Sequence, residues 1–247
     1  MRRHATLTGL ATATLLASSC LLWPGAPGKM PESGFYEGEI TDKQAAEASF
    51  VIARDMQREG INDLAVQHYL NARRLDSSRK DISANLAVLY DRMGLTSQAQ
   101  LEYERALREH PRSSALHNDY GYFLYVRGRH AESEVQFRKA LELDAKNDRA
   151  RINLGLALAR LRRDQEALEA FRGVVTEAQA YSNLAMIQTQ RGDYDLAEQN
   201  FERALALDPL LQPAAQAMLW LEDYRAGRVT APLYDDQVPP GEPAPPS

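Results

Sequence analysis

The sequence predicts an all-α solenoid of about five helix–turn–helix repeats followed by a capping helix. Apolar residues recur three and four positions apart, which indicates short amphipathic helices. The stretch from Lys80 to Asn147 also repeats itself at a period of 34 residues, with large, small and aromatic residues in one order. The recurring positions are Leu86, Ala87, Tyr90, Gly94, Ala99, Tyr103, Ala106, Leu107 and Pro111, then Tyr120, Gly121, Leu124, Gly128, Ser133, Phe137, Ala140, Leu141 and Ala145.

Each recurring residue type has a physical reason within a helix pair. Gly94 and Gly128 fall between the two helices, where glycine takes a left-handed cap without a Cβ clash. Small residues stand where the helices approach closely, and Tyr103 and Phe137 fill the space between units. One unit cannot bury its apolar face alone, so neighbouring units are expected to stack on it.

Composition excludes several classes of function. The chain has 247 residues, of which 44% are hydrophobic and 26% charged, as in a globular protein. A net charge of −5 gives no basic footprint for nucleic acid, so we expect no nucleic-acid partner. Cys20 is the single cysteine, which excludes an internal disulfide. Beyond the N-terminus there is no apolar run long enough for a second membrane span.

Residues 1–23 are predicted to be an export signal. Arg2 and Arg3 form a positive start, and an uncharged, largely apolar run follows from Ala5 to Leu22. The run from Leu16 to Cys20 resembles a bacterial lipobox, in which the cysteine is lipidated. Three interpretations stay open: a lipid anchor on Cys20, an uncleaved helical anchor, and cleavage after Ser19.

The remaining chain divides by composition and by the repeat frame. Residues 24–45 are rich in proline and glycine and are predicted to be a flexible linker, with Asp42 capping the first helix. Residues 228–247 are Pro-rich and are predicted to be disordered. The predicted units are 46–79, 80–113, 114–147, 148–177 and 178–211, with a capping helix at 212–227.

The fourth unit departs from the frame. Arg162 stands where the other units have the turn glycine, and the pattern restarts after 30 residues instead of 34. We therefore predict that the second helix of this unit, carrying Gly173, is short and that the fifth unit packs at an altered angle. The irregularity is either tolerated without consequence or forms a hinge that shapes the binding surface.

The order of residues over about 46–211 resembles the tetratricopeptide repeat (TPR) family at most of its signature positions. The resemblance implies a right-handed α-solenoid whose first helices line a concave groove for an extended peptide or a partner's helix. Two residues before the small residue of each first helix, four units carry an amide or an acid: Asn85, Asp119, Asn153 and Asn183. We call these four residues the amide ladder.

The amide ladder has two interpretations. An amide both donates and accepts hydrogen bonds, so the ladder can hold the backbone of a bound peptide. Alternatively, the ladder bonds only within the array. The other side chains predicted to contact a partner in the groove are Arg54, Arg58, Arg92, Tyr122, Tyr125 and Arg160.

No pattern in the sequence indicates catalysis, a cofactor or a metal. There is no Gly-rich phosphate loop, no HExxH and no CxxC, and the five histidines lack metal-ligand spacing. We therefore predict a non-catalytic protein that binds a peptide or protein partner.

The layout of a signal, a cysteine and about five repeats resembles envelope and pilus-assembly lipoproteins of Gram-negative bacteria. The run from His117 to Leu124 is also similar to a stretch in type IV pilus assembly lipoproteins. We expect a cell-envelope protein held at a membrane by its N-terminus only. Three hypotheses follow: a scaffold capturing a peptide or partner in the groove, a pilus or secretion-system assembly lipoprotein, and an accessory recruiter of an envelope hydrolase.

Overall fold

The computed structural model describes residues 40–230. The predicted export signal with Cys20, most of the linker and most of the Pro-rich tail lie outside the described residues. Within 40–230 the regular structure is entirely helical, which confirms the all-α solenoid. The helices are α1 (Asp42–Arg58), α2 (Asn62–Leu75), α3 (Ile82–Arg92), α4 (Thr96–Glu109), α5 (Ser114–Tyr125), α6 (His130–Leu143), α7 (Asp148–Arg160), α8 (Asp164–Phe171), α9 (Glu177–Gln190), α10 (Tyr194–Leu207) and α11 (Gln212–Arg225).

Consecutive helices pack as pairs, and each pair stacks on the next. The five pairs are α1 with α2, α3 with α4, α5 with α6, α7 with α8, and α9 with α10, and α11 packs on the last pair. First helices of neighbouring units also touch directly, α5 with α7 and α7 with α9. Second helices of neighbouring units make no comparably extensive contacts within 40–230. The first helices therefore form the inner side of the array.

The turn inside each unit requires a left-handed residue. Gly94 and Gly128 have φ values of +71° and +73° at this turn. In the fourth unit Arg162 occupies the same place with φ +62°, the only non-glycine residue of 40–230 with a positive φ. Arg162 therefore replaces the turn glycine in sequence but keeps its left-handed conformation.

Two glycines explain why small residues are needed inside the helix pairs. A Cβ at Gly121 would lie 2.7 Å from Cε1 of Phe137, and a Cβ at Gly155 would lie 2.4 Å from Cε1 of Phe171. Both phenylalanines are fully buried. The ring of the second helix therefore packs directly on the backbone of the first helix in the third and fourth units.

The N-cap of the first helix differs from the residue that the sequence predicted. Helix α1 begins at Asp42, and its N-cap is Thr41 rather than Asp42. The Thr41 hydroxyl accepts from the Gln44 backbone N–H at 3.3 Å, and the Gln44 side chain accepts from the Thr41 N–H at 2.9 Å. This reciprocal capping box needs a hydroxyl one position before the helix. Asp42 instead lies in the first turn, where its charge favours the helix dipole.

Helix α8 has 8 residues, whereas α6 and α10 have 14 each, which confirms the predicted short helix. Gly173 lies beyond the end of α8 with φ +80°, and not on the helix as expected. Glycine permits the left-handed turn that ends this truncated segment. A surface cavity of about 300 Å³ lies between α8 and the start of α9, beside Leu168, Arg172 and Tyr181.

Candidate binding surface

The candidate site is the inner surface, which we define as the groove-facing side of α1, α3, α5, α7 and α9. All ten described side chains predicted for partner contact lie on these five helices. The structure shows which of these side chains form hydrogen bonds within the array and which have polar groups available to a partner.

Three members of the amide ladder have hydrogen bonds inside the array. The Asn85 amide donates to the Asp81 carbonyl at 2.7 Å, one turn back in its own helix. The Asn153 amide donates to Oδ1 of Asn118 at 2.9 Å. The Asn118 amide in turn donates to Oδ1 of Asp119 at 3.3 Å. Binding of a peptide backbone by the ladder therefore stays a prediction, because part of the ladder's hydrogen-bonding capacity is already used within the array.

Asp119 and Asn153 are brought together by Asn118, which lies outside the ladder. Asn118 is 6% exposed and connects the third unit to the fourth. We call Asn153, Asn118 and Asp119 the amide–acid chain. It runs across the inner surface between α5 and α7, which contact each other directly.

The Asp119 carboxyl is accessible to solvent but lies among many protein atoms. Burial raises its pKa above the ordinary value, while the Asn118 hydrogen bond and the charge of Arg149 act in the opposite direction. No cation within residues 40–230 forms an ion pair with Asp119. This carboxyl therefore bears a desolvation cost without a salt bridge.

The four predicted arginines are in different environments. Arg54 and Arg92 are exposed on α1 and α3. Arg58 pairs with Asp55 at 3.5 Å, and both side chains are largely exposed, so this pair contributes little. Arg160 is half-buried and donates to the side chains of Gln190 and, at 3.5 Å, Tyr125.

The two predicted tyrosines differ in exposure. Tyr125 is 5% exposed and belongs to the core, with its ring centroid 5.3 Å from that of His130. So small an exposed surface favours a packing role, and partner contact by Tyr125 stays a prediction. Tyr122 is half-buried, and its ring centroid lies 6.4 Å from that of Tyr125. Tyr122 therefore stays a candidate contact.

Sequence reasoning missed a buried polar cluster between the fourth and fifth units. Arg191 donates to Asp164, with Nη1–Oδ1 at 2.8 Å, and to Asp193, with Nη2–Oδ2 at 2.7 Å. Gln188 donates to Asp164 at 2.7 Å and accepts from Asn200 at 2.8 Å. We call these five residues the junction cluster. One signal was present: Gln188 stands where the second, third and fourth units have Tyr90, Leu124 and Leu158.

The described residues hold groups suited to binding and none arranged for metal chemistry. Within 40–230 no group of three or more His, Cys, Asp or Glu side chains could hold a metal ion. His117 contacts Gln136 at 2.8 Å and the Pro111 carbonyl at 3.2 Å, so its ring nitrogens serve the fold. None of the helices within 40–230 has the length and apolar character needed to cross a membrane.

Comparison with protein families gives matches along most of the array. Two family models, both described as tetratricopeptide repeat, match this chain, one at 84–148 and 131–183 and the other at 178–209. Among curated proteins, the type IV pilus assembly protein PilF of Pseudomonas aeruginosa is 29% identical over 136 residues. That match covers 53% of this chain and 54% of PilF, so the chain spans about half the length of this relative.

Solved structures with the same fold include three of particular interest. YrrB, a TPR protein with an unusual peptide-binding site, has 22% identity and a TM-score of 0.57, covering 70% of this chain and 91% of its own. P. aeruginosa PilF has 22% identity and a TM-score of 0.54, covering 75% and 94%. PilW, a widely conserved type IV pilus biogenesis factor, has 23% identity and a TM-score of 0.56, covering 75% and 87%. At these identities the likeness concerns the fold.

Proposed function

This chain belongs to the tetratricopeptide repeat family, and we propose that it captures a peptide or partner protein on its inner surface at a bacterial membrane. Proteins of this family serve as protein-interaction scaffolds and are generally non-catalytic. The proposal assigns no chemical step to the chain. The groups of the inner surface would bind and orient a partner.

The observation that carries the proposal is the row of equivalent polar positions along successive first helices. Asn85, Asp119, Asn153 and Asn183 stand at one position of four consecutive units. An extended peptide also presents its backbone groups at a regular interval, so a row of amides and acids can meet several of them. The side-chain amide oxygens of Asn85 and Asn153 accept no hydrogen bond from residues 40–230 and are suited to peptide N–H groups.

A second candidate function is assembly of a pilus or a secretion machine. It is supported by the 29% identity to PilF and by the likeness in fold to PilF and PilW. Under this proposal the protein acts at the cell envelope, where the N-terminus would tether the array through Cys20 or an uncleaved helix. Recruitment of an envelope hydrolase stays a third hypothesis, with no contact in the array that favours it.

Affinity capture from solubilised membranes tests the proposal. The wild-type protein is compared with a triple variant carrying Asn85→Ala, Asn153→Ala and Asn183→Ala. Asn71→Ala is the matched control, because the Asn71 amide donates to Ser49 at 2.8 Å from a second helix. We expect a partner that the wild type and the control retain and the triple variant loses, with a melting temperature close to wild type.

Other outcomes have defined meanings. A partner retained by the triple variant would move the site away from the ladder and contradict the proposal. Loss of the partner together with a large fall in melting temperature would assign the ladder to stability. A captured pilus or secretion component, identified by mass spectrometry, would favour the second candidate over a general scaffold.

A further inference from the structure

Asp119 differs from several carboxylates that pair with an arginine of a neighbouring unit. Asp91 pairs with Arg127, Glu134 with Arg163 at 2.7 Å, and Asp164 with Arg191 at 2.8 Å. Asp119 makes no such pair within residues 40–230, and it is an exposed residue, so a cation from a ligand can reach its carboxyl. A cation brought by a ligand would therefore meet an accessible, unpaired carboxylate and could form a charge-assisted hydrogen bond with it.

The amide–acid chain fixes how this carboxylate is presented. The Asn118 amide is nearly buried and donates only to Oδ1 of Asp119, at 3.3 Å. Asn118 is itself held by the Asn153 amide at 2.9 Å. An ionised carboxylate offers about four lone-pair positions on its two oxygens, so Oδ2 stays available as an acceptor. The acceptor is therefore oriented before any ligand arrives.

Tyr122 adds an aromatic ring beside this acceptor. It lies three residues after Asp119 on α5, so the two side chains share one helix face. The Tyr122 ring is stacked near Tyr125 at 6.4 Å between centroids, and Tyr125 is held in the core. A ring next to a carboxylate suits a cation on an alkyl stem, because the stem packs on the ring and the cation meets the acid.

We propose that Asp119, Tyr122 and the amide–acid chain form a pocket for one lysine or arginine side chain of a peptide extended along the inner surface. This inference rests on the proposed function, of which it names the partner's chemistry. One exposed cation, Arg149 on α7, lies close enough for its charge to act on the Asp119 carboxyl. The pocket therefore selects a single basic residue with neutral or acidic neighbours and rejects a polybasic segment.

The experiment compares two capped pentapeptides, Ac-Ala-Ala-Lys-Ala-Ala-NH2 and the same peptide with norleucine in place of lysine. Binding to the full chain is measured by NMR titration. Norleucine keeps the alkyl stem and removes only the charge. We expect the wild type to bind the lysine peptide about tenfold more tightly, the effect of roughly one partly desolvated ion pair. Equal binding of the two peptides, or no binding of the lysine peptide at millimolar concentration, would overturn the inference.

Two carboxyl variants assign the preference to its residue. Asp119→Asn keeps the shape and the hydrogen bond from Asn118 and should abolish the preference for lysine. Asp195→Asn removes the same charge from an exposed position on α10 and should keep it. A preference that survives Asp119→Asn, or that Asp195→Asn removes equally, contradicts the assignment. Removal of a desolvated charge should leave the melting temperature of Asp119→Asn unchanged or higher, so unfolding cannot explain lost binding.

A free amine separates a peptide site from a simple cation site. If butylammonium binds as tightly as the lysine peptide, the peptide backbone contributes nothing and the peptide part of the inference fails. The outcome is also independent of the capture experiment. A partner that depends on the amide ladder, with no lysine preference, would refute this pocket and leave the proposed function standing.

Discussion

The junction between the third and fourth units and the junction between the fourth and fifth units join their helices differently. At the first, the full-length α6 packs along α7, and Phe137 is completely buried. In its ion pair, Glu134 with Arg163, the arginine is 39% exposed and the glutamate 14%. At the second junction α8 stops at Phe171, and the Arg191 side chain is 8% exposed between two carboxylates.

This comparison shows how the array compensates for a missing stretch of helix. The shortened α8 offers fewer apolar side chains to α9, and the junction cluster occupies the boundary between the two units. Gln188 is 2% exposed and has both a donor and an acceptor partner. A buried polar group of this kind is favourable only when its partners are complete. We infer that the second junction depends on these polar side chains in addition to the apolar packing of Phe171, Leu184 and Ile187.

The largest expected effect is that of Arg191→Ala. The substitution leaves the Asp164 and Asp193 carboxylates without their shared cation in a largely enclosed place. We expect the free energy of unfolding to fall by about 3 kcal/mol, as for a broken buried ion pair. Arg163→Ala at the first junction is the matched control and should cost about 0–1 kcal/mol, because Arg163 is more exposed than Arg191 and Glu134 keeps its pair with Arg138 at 2.8 Å. Urea denaturation measures both values, and equal losses would refute the contrast between the junctions.

A second expected effect concerns the close approach of each phenylalanine ring to a glycine. The Cβ of Gly155→Ala would overlap the Phe171 ring, and that of Gly121→Ala the Phe137 ring. Each substitution should cost about 1–3 kcal/mol from overpacking, partly offset by the better helix propensity of alanine. The overlap is more severe at Gly155, so thermal denaturation should show a larger loss of stability for Gly155→Ala than for Gly121→Ala. A smaller cost there would show that the short α8 shifts to release the ring.

A smaller effect of opposite sign is expected for Arg162→Gly. A non-glycine residue in the left-handed conformation costs about 1–2 kcal/mol. Arg162 pairs with Asp193 at 3.0 Å, but the Arg162 side chain is 64% exposed, so this pair adds little to stability. We expect a gain of about 0.5–1 kcal/mol in the free energy of unfolding. Gly128→Ala at the matched turn should lose about 1 kcal/mol. A loss for Arg162→Gly would mean that its salt bridge stabilises the second junction.

The smallest expected effect is a difference in acid response between Asp164 and Asp119. Burial alone would raise the pKa of Asp164, but hydrogen bonds from Arg191 and Gln188 outweigh it and lower the pKa below the ordinary 3.8. Its stabilisation is therefore present above pH 3.8 and is lost as the pH falls through the folded-state pKa. Burial raises the pKa of Asp119, so its cost to stability grows as the pH rises from 3.8 towards the folded-state pKa.

Unfolding free energies measured between about pH 3 and pH 7 separate these two cases. The Asp164→Asn variant should lose the part of stability that appears with rising pH. The Asp119→Asn variant should instead become more stable than the wild type as the pH rises, because it lacks the charge that destabilises the wild type. If both variants changed the pH profile in the same direction, the assignment of one paired and one unpaired carboxyl would be wrong.

Much of the fold could be predicted because its determinants are local and periodic. The offset of 34 residues located the turn position, including Arg162 in place of glycine, and the restart after 30 residues located the short α8. A helix–turn–helix unit depends on which residues are apolar, small or able to turn, and these properties are written along the chain. The cap at Thr41 was missed by one position, since helix ends depend on which side chain reaches back to the N3 amide.

The candidate site was predicted only as a set of positions. The sequence by itself determined that polar side chains would stand at one position of successive first helices. Only the tertiary structure decided that Asn153 reaches Asn118 across units, that Tyr125 is buried, and that Asp119 lacks a cation within the described array. Contacts between units depend on the rotation and offset of each helix pair on the next. Those quantities come from the packing of all side chains at a junction, and a periodic pattern does not contain them.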